Sequence, residues 1–155
     1  MDITKPNRAK HTYRQRLKGS PKKVFPLLCP VREAEWAVGW SPERVISNSG
    51  VAERDCVFVT SETSGPGIWY ITRHEPENLF VEMLKVVPDG TACRLEIQLS
   101  PDGAGCVADI TYCHTSLGPV GDEFVAKFTP EYYRTFMEAW ENELNHFLTT
   151  GRQFV

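Results

Sequence analysis

The sequence predicts an α+β domain in which an antiparallel sheet of about seven strands lies against one long C-terminal helix. Three observations predict it. Six strand-like runs between residues 43 and 116 follow one another at short spacing, separated by turn residues. The last two of these runs alternate apolar and polar side chains with a period of two. From residue 130 onward the apolar residues switch to helical spacing. With 155 residues, 41% of them hydrophobic, the chain suits one domain that builds its own core. We expect a single domain over 1–155, its core spanning about 10–151. No repeat, low-complexity tract or linker interrupts it.

The first strand is expected over about 10–18, where Thr12, Arg14, Arg16 and Lys18 alternate with Tyr13, Gln15 and Leu17. Ser20 is placed as an N-cap, and Pro21 suits a helix start. That helix is short, because Pro26 lacks the N–H a continuing turn needs. A second short helix is predicted through Glu33 and Trp36 to Gly39, a helix-ending residue. Strands follow at about 43–48, 56–61, 67–74, 79–87, 92–100 and 105–116. Turns such as Pro88-Asp89-Gly90 and Pro101-Asp102-Gly103 separate them and favour an antiparallel meander. In the strand at 79–87, Leu79, Val81 and Met83 compete with Phe80, Leu84 and Val86 for the inner face.

In the last strand Cys106, Ala108, Ile110, Tyr112 and His114 form the inner row. The final helix starts at Thr129-Pro130-Glu131 and closes at Gly151. Tyr133, Phe136, Met137, Trp140, Leu144, Phe147 and Leu148 follow one face. Such a stripe must lie across the sheet, whose apolar face must curve to receive it.

Lys+Arg number 17 and Asp+Glu 20, a formal charge of −3. This balance argues against a nucleic-acid partner. Eight basic residues nevertheless crowd the first 23 positions. They can be read as a patch for a phosphate-rich surface; the alternation favours the plainer reading, a solvated outer strand face. Five cysteines at 29, 56, 93, 106 and 113 include no C-x-x-C pair, so neither a zinc site nor a redox motif is expected. No stretch resembles a signal peptide or approaches 18 apolar residues. The expectation is a cytoplasmic protein with reduced thiols, no integral membrane association and no metal or other cofactor. Pairing through an edge strand would make a homodimer, an alternative the sequence leaves open.

Several stretches resemble one superfamily. They are Ser20-Pro21-Lys22-Lys23-Val24-Phe25-Pro26-Leu27-Leu28-Cys29-Pro30, Glu35-Trp36-Ala37-Val38-Gly39-Trp40 and Gly67-Ile68-Trp69-Tyr70-Ile71. Thr111-Tyr112 with Thr115, and Trp140 with Leu148-Thr149-Thr150-Gly151, complete the set. Together with the element order they resemble the START-like (SRPBCC) superfamily, which includes lipid-transfer START domains, the birch-pollen-allergen fold and the bacterial polyketide cyclase/dehydrase group. The resemblance implies a helix-grip fold: a curved antiparallel sheet wraps the long helix, two short helices close one end, and a cavity for an apolar ligand lies between sheet and helix. These landmarks are mostly packing and turn residues, and the superfamily hosts carriers, enzymes and co-chaperones, so they fix no role.

Trp36, Trp40, Trp69, Tyr112, Tyr133 and Phe136 are the candidates for cavity lining, weighed against simple core filling. The same inner faces add Phe58, Ile71, Met83, Leu95, Ile97 and Met137 as ligand-binding candidates. Trp140, Leu144 and Phe147 are assigned to the core. His114 beside Tyr112 offers a general acid/base with a hydroxyl to orient a carbonyl; the plainer reading is a half-buried histidine with a backbone partner. His74, His11 and His146 are expected at the surface. Asp109 is expected to point outward, and Glu62 to reach a pocket mouth. The chain has no G-x-G-x-x-G, P-loop, G-x-S-x-G or H-E-x-x-H motif. Three functions remain. The first is binding or carriage of a hydrophobic or aromatic small molecule, lipid or polyketide-like. The second is a cofactor-independent cyclase or dehydratase using His114 and Tyr112. The third is a co-chaperone-like interaction module.

Overall fold

A computed structural model describes residues 1–154. The chain opens with β1 (Arg8–Leu17), then α1 (Pro21–Val24), which tightens into a 3-10 turn at Phe25–Leu27; a second 3-10 turn covers Arg32–Glu35. Then come β2 (Arg44–Ile46), β3 (Val57–Glu62), β4 (Gly65–Glu75), β5 (Phe80–Val86), β6 (Thr91–Asp102) and β7 (Gly105–Ser116), followed by α2 (Pro119–Lys127) and α3 (Pro130–Thr150). The seven strands form one antiparallel sheet in the order β1-β7-β6-β5-β4-β3-β2. Six strands run as a meander, and β1 closes the far edge against β7. The chain crosses from one edge to the other through α1 and the two 3-10 turns. This is the curved sheet and long helix of the helix-grip fold.

The period-two pattern of each strand becomes the two faces of the sheet. In β7, Cys106, Ala108, Ile110, Tyr112 and His114 are all buried. Opposite them Leu95, Ile97 and Leu99 of β6 pair in register with Tyr112, Ile110 and Ala108. The ambiguous strand resolves in favour of one set: Val81 and Met83 are buried, while Leu84 and Val86 face outward. Leu79 stands outside β5 in a left-handed turn conformation. β4 carries a bulge between Ile71 and Arg73, which bends the strand.

The basic segment forms the outer face of β1. Arg14 and Asp109 face each other across the β1–β7 ladder and make two hydrogen bonds of 2.8 Å. Its inner residues join the sheet to α3. Gln15 is fully buried and donates to the Met137 carbonyl at 3.0 Å. Asn145 clasps the β1 backbone from the helix, donating to the Arg16 carbonyl and accepting from Lys18 N. The Gln15 bond satisfies a polar group that burial would otherwise leave costly.

Four local expectations need correction. Ser20 stands at the N-cap position, but its side chain makes no capping bond; its carbonyl instead receives Lys23 N and Val24 N. The second short helix reaches only Glu35, as a 3-10 turn, although Gly39 does adopt positive φ. His11 is half-buried, with Nε2 2.8 Å from the Phe128 carbonyl. His74 is also half-buried against the Phe25 ring, and burial lowers its pKa.

α2 is a helix that strand and helix periodicity did not announce. Its start reads Gly118-Pro119-Val120-Gly121, a run of residues that look like breakers. Pro119 sits in the first turn, where a missing N–H costs nothing. Gly121 is required by close approach: a Cβ there would lie 2.1 Å from the Gly90 carbonyl. The helix can therefore sit directly on the β5–β6 turn, where Gly90 O also receives Leu117 N. α3 begins as the sequence indicates, with the Thr129 side chain accepting from Tyr132 N at 3.2 Å.

Candidate functional site

Between the inner face of the sheet and α3 lies a cavity of about 300 Å³. Its floor is the central sheet, with Phe58, Trp69, Met83, Leu95, Ile97 and Tyr112. Its roof is one side of α3, with Phe136, Ala139, Trp140 and Glu143. The third wall is the segment after α1, contributing Glu33, Trp36 and Ala37 through Trp40. Two stacked aromatic pairs frame the space. Trp36 lies on Trp140, centroids 5.7 Å apart and nearly parallel, and Phe58 lies on Trp69 at 5.1 Å. Phe136 meets Tyr112 edge-on at 5.9 Å.

Three of the tryptophans have their N–H groups engaged elsewhere. Trp36 Nε1 donates to the Leu27 carbonyl, Trp40 Nε1 to the Pro30 carbonyl and Trp69 Nε1 to Thr60 Oγ1, all at 2.8–3.0 Å. These bonds pin the ring planes and leave ring surface, not donors, toward the cavity. The Thr60 hydroxyl in turn donates a 2.9 Å hydrogen bond to Glu62, which is paired with Lys85 at 2.5 Å. The Lys85 ammonium sits 4.8 Å from the centre of the Trp69 ring.

Of the ligand-binding candidates, nine line this cavity: Trp36, Trp40, Phe58, Trp69, Met83, Leu95, Ile97, Tyr112 and Phe136. Ile71 and Met137 are fully buried in the core. Tyr133 is buried too, its hydroxyl donating to the Ile110 carbonyl, and burial raises its pKa. Trp140, assigned to the core from its place in the helical stripe, instead forms part of the roof and stays half-buried. At this turn α3 meets the Trp36 ring on one side and the cavity on the other.

His114 does not line the aromatic cavity. It borders a second, more polar cavity of about 350 Å³ under α2, with Glu62, Lys85, Glu123 and Lys127 around it. Its ring stacks 6.0 Å from Tyr112, but a 2.7 Å hydrogen bond joins its Nδ1 to Thr91 Oγ1. Phe124 and Phe128 flank it, each at 4.7 Å. Burial, with Lys85 nearby, pushes its pKa down to about 4, so the ring is neutral at pH 7. Its partner is a side-chain hydroxyl and not the backbone. Glu62 reaches this second cavity.

Glu33 is the residue that sequence reasoning missed. Its carboxyl lines the aromatic cavity, and burial alone pushes its pKa up to about 8; no hydrogen bond or neighbouring charge acts on it among the described residues. The Tyr112 hydroxyl, in the same cavity, has its pKa raised well above the usual value by burial, with smaller contributions from Cys93, Tyr133, Glu33 and Glu62. Glu143 is already occupied, accepting from Val38 N at 3.0 Å. One signal could have found Glu33. It precedes Trp36 by three residues, the repeat of a 3-10 turn, a spacing that puts the carboxyl and that tryptophan on one side.

The raised pKa has a consequence for stability. In the unfolded chain Glu33 ionises near pH 4.5. The folded state resists ionisation up to about 8, so stability is lost as pH rises between these values and is level above. Glu33→Gln removes the titration. The variant is expected to match the parent at pH 5 and exceed it by about 2 kcal/mol at pH 8.5, the full conversion being reduced by solvent in the cavity. Urea denaturation at the two pH values checks this; an unchanged difference would show that the carboxyl is well solvated.

No family model matches the chain, and no curated protein matches it. Solved structures do. Norcoclaurine synthase from Thalictrum flavum, a point mutant with a transition-state analogue, aligns with a TM-score of 0.69 at 10% identity, over 95% of this chain and 98% of that one. Mll3558 from Rhizobium loti aligns at 0.66 and 17% identity, over 91% and 100%. Ara h 8.0201 aligns at 0.61 and 11%, over 89% and 98%. At these identities the likeness establishes the fold alone, the helix-grip arrangement of curved sheet and long helix. No helix among the described residues is long and apolar enough to cross a membrane. No group of three or more His, Cys, Asp or Glu among them is placed to hold a metal.

Proposed function

We propose that this protein binds a hydrophobic or aromatic small molecule in the cavity between the sheet and α3. The observation that carries the reading is the cavity itself, about 300 Å³ of space framed by two stacked aromatic pairs and open to solvent on the side of the exposed Val38 and Phe136. Interiors are normally close-packed, and unfilled apolar volume costs stability. This volume is at the lower end of small-molecule sites, enough for a one- or two-ring compound. Carriage, sensing and storage all follow from such binding.

The test uses the tryptophans as reporters. Titration with 2-naphthol should change the intrinsic fluorescence saturably, with one equivalent bound. Met83→Trp, which fills the floor of the cavity, should abolish the response while the fold is retained by circular dichroism. A non-saturable response, or one that survives Met83→Trp, would place binding elsewhere and overturn the reading.

A second reading, acid–base chemistry on the bound molecule, is favoured by one specific pairing. Glu33 and Tyr112 face the same cavity, one a carboxyl with a pKa of about 8, the other an undissociated hydroxyl. A group that titrates near the working pH can both give and take a proton, and a tyrosine hydroxyl can orient a carbonyl. In this form the cyclase or dehydratase reading keeps Tyr112 and assigns the proton transfer to Glu33 in place of His114. His114 lines the other cavity and is bonded to Thr91.

A further inference from the structure

The lining of the aromatic cavity carries a charge asymmetry. It includes two carboxyl side chains, Glu33 and Glu143, and no lysine, arginine or histidine. The nearest ammonium, Lys85, lies outside this lining and is already paired with Glu62. Glu143 is occupied by the Val38 N–H. Glu33 has no partner among the described residues and lines the cavity together with Trp36 and Trp40 of the same segment. Glu33 is half-buried, and a carboxylate that loses part of its hydration with no protein partner carries a desolvation cost. A ligand cation beside it would remove that cost.

The aromatic rings point the same way. With their N–H groups engaged, Trp36, Trp40 and Trp69 offer the cavity ring surface in place of donors, one face of Trp36 being covered by Trp140 and one face of Trp69 by Phe58. Ring faces attract cations and repel anions, and tryptophan does so most strongly. Trp69 already holds one ammonium, that of Lys85, 4.8 Å from its ring centre. An anionic ligand would meet two carboxyls and one available hydroxyl, Tyr112.

Resting on the proposed binding function, we propose that the occupant of this cavity is a hydrophobic amine. Its cationic nitrogen lies against the Glu33 carboxylate, and its apolar body lies between the Trp36–Trp140 and Phe58–Trp69 pairs. Carboxylate-headed lipids are excluded by the same charges.

Three probes with one skeleton test this: 4-phenylbutylamine, 4-phenylbutanol and 4-phenylbutyrate. Each is titrated by calorimetry at pH 8.5 into the parent protein and into Glu33→Gln. The amine should bind about tenfold more tightly than the alcohol, and the butyrate most weakly. Glu33→Gln should bring the amine to within about threefold of the alcohol. Equal binding of amine and alcohol by the parent would overturn the amine proposal and leave the cavity as a neutral aromatic site. An amine preference that survives Glu33→Gln would overturn the role of Glu33. If none of the three probes binds, the binding function itself fails together with the inference.

Discussion

Trp36→Ala should cost about 4 kcal/mol of folding stability. Trp36 is fully buried, and truncation to alanine removes three things together. It deletes a large apolar side chain from the wall between the filled core and the cavity. It breaks the 3.0 Å hydrogen bond to the Leu27 carbonyl, leaving a buried acceptor unpaired. It also removes the ring on which Trp140 stacks. The space released joins a cavity of about 300 Å³, so collapse cannot close it cheaply. Chemical denaturation measures the loss. A cost under 1 kcal/mol would mean that the segment from Arg32 to Trp40 folds down into the space, and the cavity would then not be a fixed feature.

The second large effect is an acid transition governed by His114. Its folded-state pKa is depressed to about 4 from the ordinary value near 6.5. The folded state therefore binds fewer protons than the unfolded state between these values. The stability this represents is present above pH 6.5 and is lost as pH falls toward 4. The expected loss is about 3 kcal/mol. His114→Gln carries no titrating ring. The variant should be less stable at pH 7.5, where it forfeits packing between Phe124 and Phe128. Its stability should then decline less steeply than that of the parent below pH 6.5. Carboxylates elsewhere titrate in both proteins and cancel in the difference. Parallel pH profiles would show that the ring is protonated without penalty.

The two titrating groups act in opposite directions. Glu33 erodes stability as pH rises toward 8, and His114 erodes it as pH falls from 6.5. Both arise from desolvation on the inner side of the sheet, one group in each cavity. Between pH 4.5 and 6.5 the two effects offset each other, and above 6.5 only the Glu33 loss continues, so this pair contributes most on the acid side of neutrality.

Local patterns in the sequence carried most of the fold. The alternation of β6 and β7, the punctuating turns and the Thr129-Pro130 start of α3 each depend on residues within a few positions of one another, so a single chain displays them. Elements that depend on distant contacts stayed hidden. α2 exists because Gly121 can approach Gly90, some thirty residues away in the chain. His11 is drawn inward by the Phe128 carbonyl, which lies at the end of that same helix. The strand at 79–87 offered two inner faces, and only pairing with β4 and β6 selected Val81 and Met83.

The candidate site divides the same way. Inward-facing aromatics on the sheet were readable from the period-two pattern, and Trp69, Phe58 and Tyr112 do line the cavity. Periodicity says which way a side chain points and nothing about whether anything meets it. Trp140 and Leu144 share one helical stripe, yet Leu144 is fully buried while Trp140 borders empty space. Tyr112 and His114 share one strand face, yet they open on different cavities. Strand, helix and face were thus legible from residue order, because they follow from local backbone geometry and hydrophobic period. The placing of the void, the solitary Glu33 carboxyl within it and the separation of His114 from it required the sheet to close around α3, because only that closure decides which inward side chains find partners.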